Sequence, residues 1–353
     1  MLLNRLDRYT ARTVLVSMFM VQVLLLGLDF VINFISDIED VTDSYTTFNV
    51  LFYTFLRLPW RFYQYAPVSV LIGALVGLGA MASNNELTVM RAAGRSLLRI
   101  LWSVMKPLGL VIIITMLVGE FAAPWSEQYA QSFRAEQRQG SSVASEDGGW
   151  QREGDSFYRF GSIRTDDTVI DFNRYRYDGQ QLVEAQHADR VVHEDGQWVL
   201  HNIRTTHIND DNTTTSTRES ATWQTSLTPE LLRLIITDRD SRSMTDLWRY
   251  AHYLNSQGLS ATSSWLYFWQ KLLLPLMLAS LVLVAASFVF GPLRSVAAGT
   301  RVFYGTIVGL TFKYLQDLLA PAATVFGFSP IWAILTPTLG CFLLGFYLLR
   351  RSA

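Results

Sequence analysis

Six apolar stretches, at about 13–35, 60–82, 100–123, 268–290, 301–321 and 330–349, divide the chain. Each is close to the ~20 residues that an α-helix needs to cross a bilayer. The fifth is the weakest, because Lys313 and Asp317 interrupt it. The first is too long for a signal-peptide core and has no small-residue cleavage site, so it reads as a retained span. Between the third and fourth stretches the pattern becomes polar and alternating. "TVIDFNRYRYDGQQLVEA" and "HEDGQWVLHNIRTTHI" mix β-branched and aromatic residues, and each carries an Asp-Gly pair, Asp178-Gly179 and Asp195-Gly196, at a hairpin position. "INDDNTTTSTRES" (208–220) reads as a turn feeding an exposed strand. In "MTDLWRYAHYLNSQG" (244–258), Leu247, Tyr250, Ala251 and Leu254 share one face, which predicts an amphipathic helix at the membrane surface.

The predicted fold is a membrane α-helical bundle of six transmembrane helices with an inserted periplasmic all-β domain. Residues 1–123 carry spans one to three, 124–266 the β domain ending in the amphipathic helix, and 267–353 spans four to six. Composition agrees with a membrane protein, since half of the 353 residues are hydrophobic. The arginines orient the bundle. Arg5, Arg8, Arg12, Arg91, Arg95, Arg99, Arg294, Arg301, Arg350 and Arg351 fall on one side if the spans alternate. The opposite side carries Asp37, Glu39, Asp40 and Asp43. Both termini are therefore expected in the cytoplasm and the β domain outside.

Net charge is −1, which gives no basic surface for nucleic acid. The single cysteine, Cys341, lies in an apolar run and reads as packing. His187, His193, His201 and His207 recur through the β domain without metal-ligand spacing. No nucleophile–base pair stands out, and there is no G-x-x-x-x-G-K-[ST] phosphate loop, so the chain reads as a non-enzyme. Gly73 and Gly77, inside span two, form a G-x-x-x-G that permits close helix approach.

Two sets of residues carry candidate chemistry. "SNNELTVMRAAGRS" (83–96) looks like a short soluble helix between two spans. Ser83 and Glu86 fit a capping box, and Gly94 suits the helix end. A helix over 84–93 is too short to be stable alone in water, so it needs a surface. Leu87, Met90 and Arg91 fall on one face. Pattern leaves two readings open: a turn lying on lipid headgroups, or a helix seated on a partner. The second set is polar groups within spans: Asp29, Asn33, Arg61, Glu120, Lys271, Lys313 and Asp317, all towards the outer face, with Arg134 just beyond span three. They could be neutralised by pairing and snorkelling, or form a polar zone at outer-headgroup height for an amphiphile with phosphates and acyl chains.

"LDRYTARTV", "GALVGLGAMASNNELTVMRAAG", "GEFAAPWSEQ", "WQTSLTPELL" and "FGPLRSV" resemble, in the same order, the lipopolysaccharide export permeases of the LptF/LptG family. "LDRY", "SLTPE" and "FGPLRS" are nearer its LptG branch. The resemblance implies an inner-membrane heterodimer with LptF, driven by a dimer of the ATPase LptB, which holds the ATP and Mg; this chain itself holds no cofactor. Lipopolysaccharide would enter a cavity between the permeases and pass along periplasmic β-jellyroll domains to LptC and LptA. The resemblance also makes 84–93 the coupling helix, with Glu86, Leu87, Met90 and Arg91 as ATPase contacts, and places span one at a lateral gate. One departure matters. LptG-branch proteins often carry lysines late in span one, where this chain has Asn33 followed by acidic residues. Arg61, Arg134, Lys271 or Lys313, or divalent cations on the acidic segment, would then meet the phosphates. The rival readings are a proton-coupled carrier using Asp29, Glu120 and Asp317, a lipoprotein permease, and a non-transporting scaffold.

Overall fold

The computed structural model describes residues 5–42, 44–137, 149–163, 168–194, 196–209, 212–223, 225, 227–229, 232, 240–290 and 298–352. Asp43, Asp195, Arg294, most of "FGPLRSV" and part of "WQTSLTPELL" lie outside the described residues.

The first half is helical. α1 (Arg5–Asp37) leads into α2 (Thr47–Leu56), α3 (Leu58–Ser83), α4 (Glu86–Ala92), α5 (Leu97–Leu117) and α6 (Ala123–Gln137); a π-turn, Val118–Ala122, joins the last two. After the sheet come α7 (Met244–Ser256), α8 (Thr262–Leu272), α9 (Leu274–Phe290), α10 (Ala298–Phe326) and α11 (Pro330–Ser352). Four stretches are long and apolar enough to span a membrane: Arg5–Asp40, Leu58–Ser83, Leu97–Arg134 and Pro330–Arg351. α8 and α9 pass together as a pair bent by 54°. The expected fifth span falls on α10. Its 29 residues reach about 43 Å, long enough to cross, but Lys313, Gln316 and Asp317 interrupt its apolar character. Against the six expected spans stand four helices and one bent pair, five at most among the described residues, with α10 long but too polar to qualify.

α9 sits at the centre of the bundle. Its sequence, LPLMLASLVLVAASFVF, is apolar all round, and most of its residues are buried, as expected of a helix with neighbours on every side. It packs on α3, α5, α10 and α11. α1 packs along α3 through the two glycines the sequence singled out. A Cβ on Gly73 would lie 2.3 Å from Met18 Cα, and one on Gly77 would lie 3.0 Å from Val14 Cα. Only a missing side chain lets the two backbones come so close.

The β region is a six-stranded antiparallel sheet in the order β1-β2-β3-β4-β5-β6: Gly149–Glu153, Ser156–Ile163, Val169–Asp178, Gln181–Glu194, Gln197–Ile208 and Thr213–Trp223. Every neighbour is the next strand in sequence. This is a meander of hairpins, and the crossings of a jelly roll do not occur among the described strands. Asp178 pairs with Gln181 and Glu194 with Gln197, so hairpins turn at Gly179 and at Gly196, where the sequence expected them. β6 is exposed along most of its length, as its composition suggested.

The inner face of the sheet is aromatic: Tyr158, Phe160, Phe172, Trp198 and Trp223 cluster with Val191, Leu200 and Ile203. α7 covers this face. Ser243 caps it, accepting the Asp246 N–H at 3.0 Å. The predicted stripe of Leu247, Tyr250, Ala251 and Leu254 is buried, and the last three join the sheet core. The sequence set this stripe at the membrane surface; in the structure it packs into the protein's own core. A stripe of this width is equally suited to a sheet, and the sheet's aromatic face was there to be covered.

Candidate coupling element and polar cavity

α3 runs on through Ser83, and this removes the expected capping box. The Ser83 hydroxyl donates back to the Gly79 carbonyl at 2.9 Å, the usual choice for a serine inside a helix. The cap position passes to Asn85, whose φ is +59° and whose side chain caps nothing. Glu86 turns elsewhere and accepts the Tyr9 hydroxyl at 3.1 Å. The helix is therefore seven residues, Glu86–Ala92, shorter than 84–93. Its end follows expectation. Gly94 has φ +82°, the Gly94 N–H reaches the Arg91 carbonyl at 3.0 Å, and the Arg95 N–H reaches the Met90 carbonyl at 3.1 Å. That is a left-handed stop with its 6→1 bond.

The four expected contact residues do not share a surface. Leu87 and Met90 are 4% and 6% exposed and belong to the bundle's own core. They anchor α4 to the bundle. The outward surface is Thr88, Val89 and Ala92, flanked by the half-buried Glu86 and Arg91. Val89 is 65% exposed. The i, i+3 apolar pair that the sequence offered as a partner's face packs on the bundle itself, and Thr88 and Val89, which the sequence did not single out, point outward.

At the end of the bundle away from α4 the polar residues form separate groups. Lys271 is 7% exposed. Its ammonium donates to the Gly119 carbonyl at 3.0 Å and lies 5.0 Å from the Tyr63 ring centre. Gly119 belongs to the π-turn, where the regular i→i−4 ladder is opened and a carbonyl can turn aside. The next residue, Glu120, reaches away from the bundle. Its carboxylate accepts the Met244 N–H at 2.7 Å, the Thr245 N–H at 3.2 Å and the Thr245 hydroxyl at 2.7 Å. A carboxylate on free N–H groups at the start of α7 satisfies both partners. Lys313 and Asp317, one turn apart on α10, meet at 2.5 Å.

Arg61 is bound to span one. It lies 3.4 Å from Asp29 and donates to Asn33 and Gln64 at 3.0 Å each; Asp29 also accepts the Tyr65 hydroxyl at 2.7 Å. Arg134 pairs with Asp40, donates to the Tyr53 hydroxyl at 3.1 Å and covers the Tyr53 ring at 4.9 Å. Arg57 lies beside the same ring and pairs at 3.1 Å with Glu127, which is 1% exposed. The sequence reading used Arg57 only as the one arginine among the acidic residues of its segment, and gave Glu127 no role. The available signal was that lone arginine facing the acidic 37–43 segment.

A cavity of about 470 Å³ opens between α3, α8, α9, α10 and α11. Lys271, Lys313, Gln316 and Asp317 line it, with Gln64 and Trp60. Gln316 is buried, and its side-chain nitrogen has no partner among the described residues. The structure thus gathers Lys271, Lys313 and Asp317 at one cavity. Arg61 and Asn33 join it only at its edge, through Gln64. Arg134 belongs to another group. Among the described residues, no set of three or more His, Cys, Asp or Glu could hold a metal ion.

The geometry can be set beside known proteins. The family described as "Lipopolysaccharide export system permease LptF/LptG" matches residues 8–351. The chain is 32% identical over 356 residues to the lipopolysaccharide export system permease protein LptG of Haemophilus influenzae, covering 99% of both chains. It is 32% identical over 354 residues to the protein of the same name from Escherichia coli K12, covering 99% of this chain and 98% of that one.

Proposed function

Since the chain belongs to the LptF/LptG family of lipopolysaccharide export permeases, we propose that it is the LptG-type subunit of an ATP-driven exporter that draws lipopolysaccharide from the outer leaflet of the inner membrane. Its partners are LptF as the second permease, a dimer of the ATPase LptB, which carries the ATP and Mg, and LptC and LptA, which receive the lipid in the periplasm. α10 is the fifth span, which brings the count to six, both termini are cytoplasmic, and the sheet lies in the periplasm.

One observation carries this reading. α4 lies between two spans, is tied inward by Leu87 and Met90, and offers a small uncharged surface, Thr88, Val89 and Ala92, bordered by Glu86 and Arg91. A seven-residue helix does not hold its shape alone in water. Fixed to the core on one side, it can receive a push on the other and move the spans it joins. LptB supplies that push when its dimer closes. Lipid phosphates meet the cationic groups at the outer end. Lys313 is the most available, since its bond is to a partly exposed Asp317 on the same helix, and a phosphate in the cavity would compete for it. Lys271 is buried and committed to Gly119, so it shapes the cavity wall.

The proton-carrier reading fares worse. Asp29, Glu120 and Asp317 sit in three separate networks: with Arg61 and Tyr65, with the start of α7, and with Lys313. A relay needs its members within reach of one another.

The test is Val89→Glu in the reconstituted complex with LptF, LptB and LptC. The expected result is ATP-driven lipopolysaccharide release reduced at least tenfold, with membrane insertion intact. Wild-type release from this variant would sink the docking surface. Release that persists without LptB, or follows a proton gradient, would sink the ATP-driven reading itself.

A further inference from the structure

α1 is held along half of its length. Thr10, Ala11, Val14, Met18 and Gln22 are buried, and from Val23 to Asp37 no residue is. The held half is fixed in two ways. Along its side, Val14 and Met18 press on the Gly77 and Gly73 positions of α3. At its cytoplasmic end, polar contacts reach the α4 segment at both of its ends. The Tyr9 hydroxyl donates to Glu86, the first residue of α4, at 3.1 Å. The Asp7 carboxylate takes the guanidinium of Arg95, just past the end of α4, and the hydroxyl of Ser103 on α5 at 2.8 Å. The Arg95 and Asp7 side chains are only 12% and 14% exposed, where a charge-assisted bond is stronger than at the surface. The segment from Glu86 to Arg95 is therefore clasped against α1, in addition to being joined to α3 and α5 through the chain.

The outer half has no buried residue, and what ties it reaches α3 and not α4. Its polar ties are those of Asp29 and Asn33 to Arg61 and Tyr65. Leu24, Leu28, Ile32 and Ile35 are each more than half exposed. The two halves of one continuous helix are thus bound to different extents, and the change falls near Gln22.

We propose that Asp7, Tyr9, Arg95 and Ser103 form a clasp that makes the inner half of α1 move as one body with α4, so that a displacement of α4 is delivered directly to α1 and swings its outer half. The inference rests on α4 being the surface the ATPase pushes. The four are positioning residues, touching neither nucleotide nor lipid. The lever is long enough to matter: Met18 to Asp37 is about 28 Å of helix, and a tilt of about 10° moves its far end by about 5 Å. A shift of that size displaces Leu28, Ile32 and Ile35, the exposed side chains of the outer half, relative to the rest of the bundle.

The experiment uses the full complex in proteoliposomes and follows ATP hydrolysis and lipopolysaccharide release separately. In Asp7→Asn with Tyr9→Phe, hydrolysis stays near wild type and release per ATP falls about fivefold or more. Asp7→Arg with Arg95→Asp, which reverses the ion pair, recovers much of that loss. As a second measurement, Asp7→Cys with Arg95→Cys loses coupling, and a short bifunctional thiol reagent restores it. The native Cys341 is buried and does not compete. Unchanged release per ATP in the Asn/Phe variant overturns the clasp, as does a cross-link that leaves coupling lost. Hydrolysis falling together with release also overturns it, because the residues would then serve α4's docking rather than transmission. If the unmodified complex releases lipid without ATP hydrolysis, the ATP-driven reading fails first, and that outcome is seen before any variant is made.

Discussion

The membrane bundle and the sheet fill their interiors by different means. The bundle core is aliphatic and small. α9 contributes leucine, valine, alanine and serine, and glycines let helices touch backbone to backbone, as Gly73 does at Met18 and Gly345 does at Leu283 and Val284. The sheet core is aromatic. The Trp223 ring lies 4.8 Å from Phe172, 5.0 Å from Tyr158 and 6.2 Å from Phe160 and Trp198. The surroundings explain the difference. In lipid, burying a large apolar side chain gains little, because the acyl chains are as apolar as leucine; close van der Waals approach is what brings helices together. In water, each ring removed from solvent is worth kilocalories, so large rings are the efficient filler. Shape dominates one core and area the other.

Substitutions of opposite kinds should break the two cores. The largest effect is expected for Gly73→Leu, which places a side chain where even a Cβ lies 2.3 Å from the α1 backbone. α1 cannot seat, and the protein should fail to accumulate in the membrane or to form a complex; blotting of membrane fractions and co-purification read this. Phe172→Ala should come next, destabilising the sheet by about 3–5 kcal/mol while the bundle stays inserted, seen as proteolysis confined to the 149–223 region. Lys271→Met should cost about 1–3 kcal/mol, because the Gly119 carbonyl loses its donor while a buried charge is removed; thermal unfolding in detergent measures it. The smallest effect is expected for Gly27→Ala. A Cβ there meets nothing within 4 Å, so the change should be within about 1 kcal/mol, in the stabilising direction by helix propensity. A large loss at Gly27 would show that glycine is required on α1 for something other than close approach.

What could be read from the sequence was mostly local. Span positions follow from apolar length, the hairpins from Asp-Gly pairs, the buried face of α7 from its spacing, and the α1–α3 contact from Gly73 and Gly77. Errors arose where one pattern serves two structures. S-x-x-E signals a capping box only if the serine begins the helix, and Ser83 ends one. Leu87 and Met90 mark an apolar face without saying whose surface it meets. The polar residues within the spans were recognised, but most of their partners lie far along the chain: Asp29 with Arg61, Lys271 with Gly119, Glu120 with Thr245. Spacing carries no trace of such pairs. The clasp on α1 was invisible for the same reason, although "LDRY" holds both of its α1 members.

The π-turn at Val118–Ala122 also acts as a phase setter. One extra residue in a helix turns everything beyond it by about 100° relative to an unbroken helix. Beyond the turn lie Glu127, aimed inward at Arg57, and Trp125, 66% exposed and stacked on Tyr129. Deleting Val118 or Gly119 from the turn would restore a plain helix of almost the same length and hydropathy. It would also rotate Glu127 out of the interior and carry Glu120 off the start of α7. An alignment would record such a deletion as a small gap in a tolerant segment. In the folded protein it would misdirect the two carboxylates that join the third span to its neighbours, a change in angle with no change in composition.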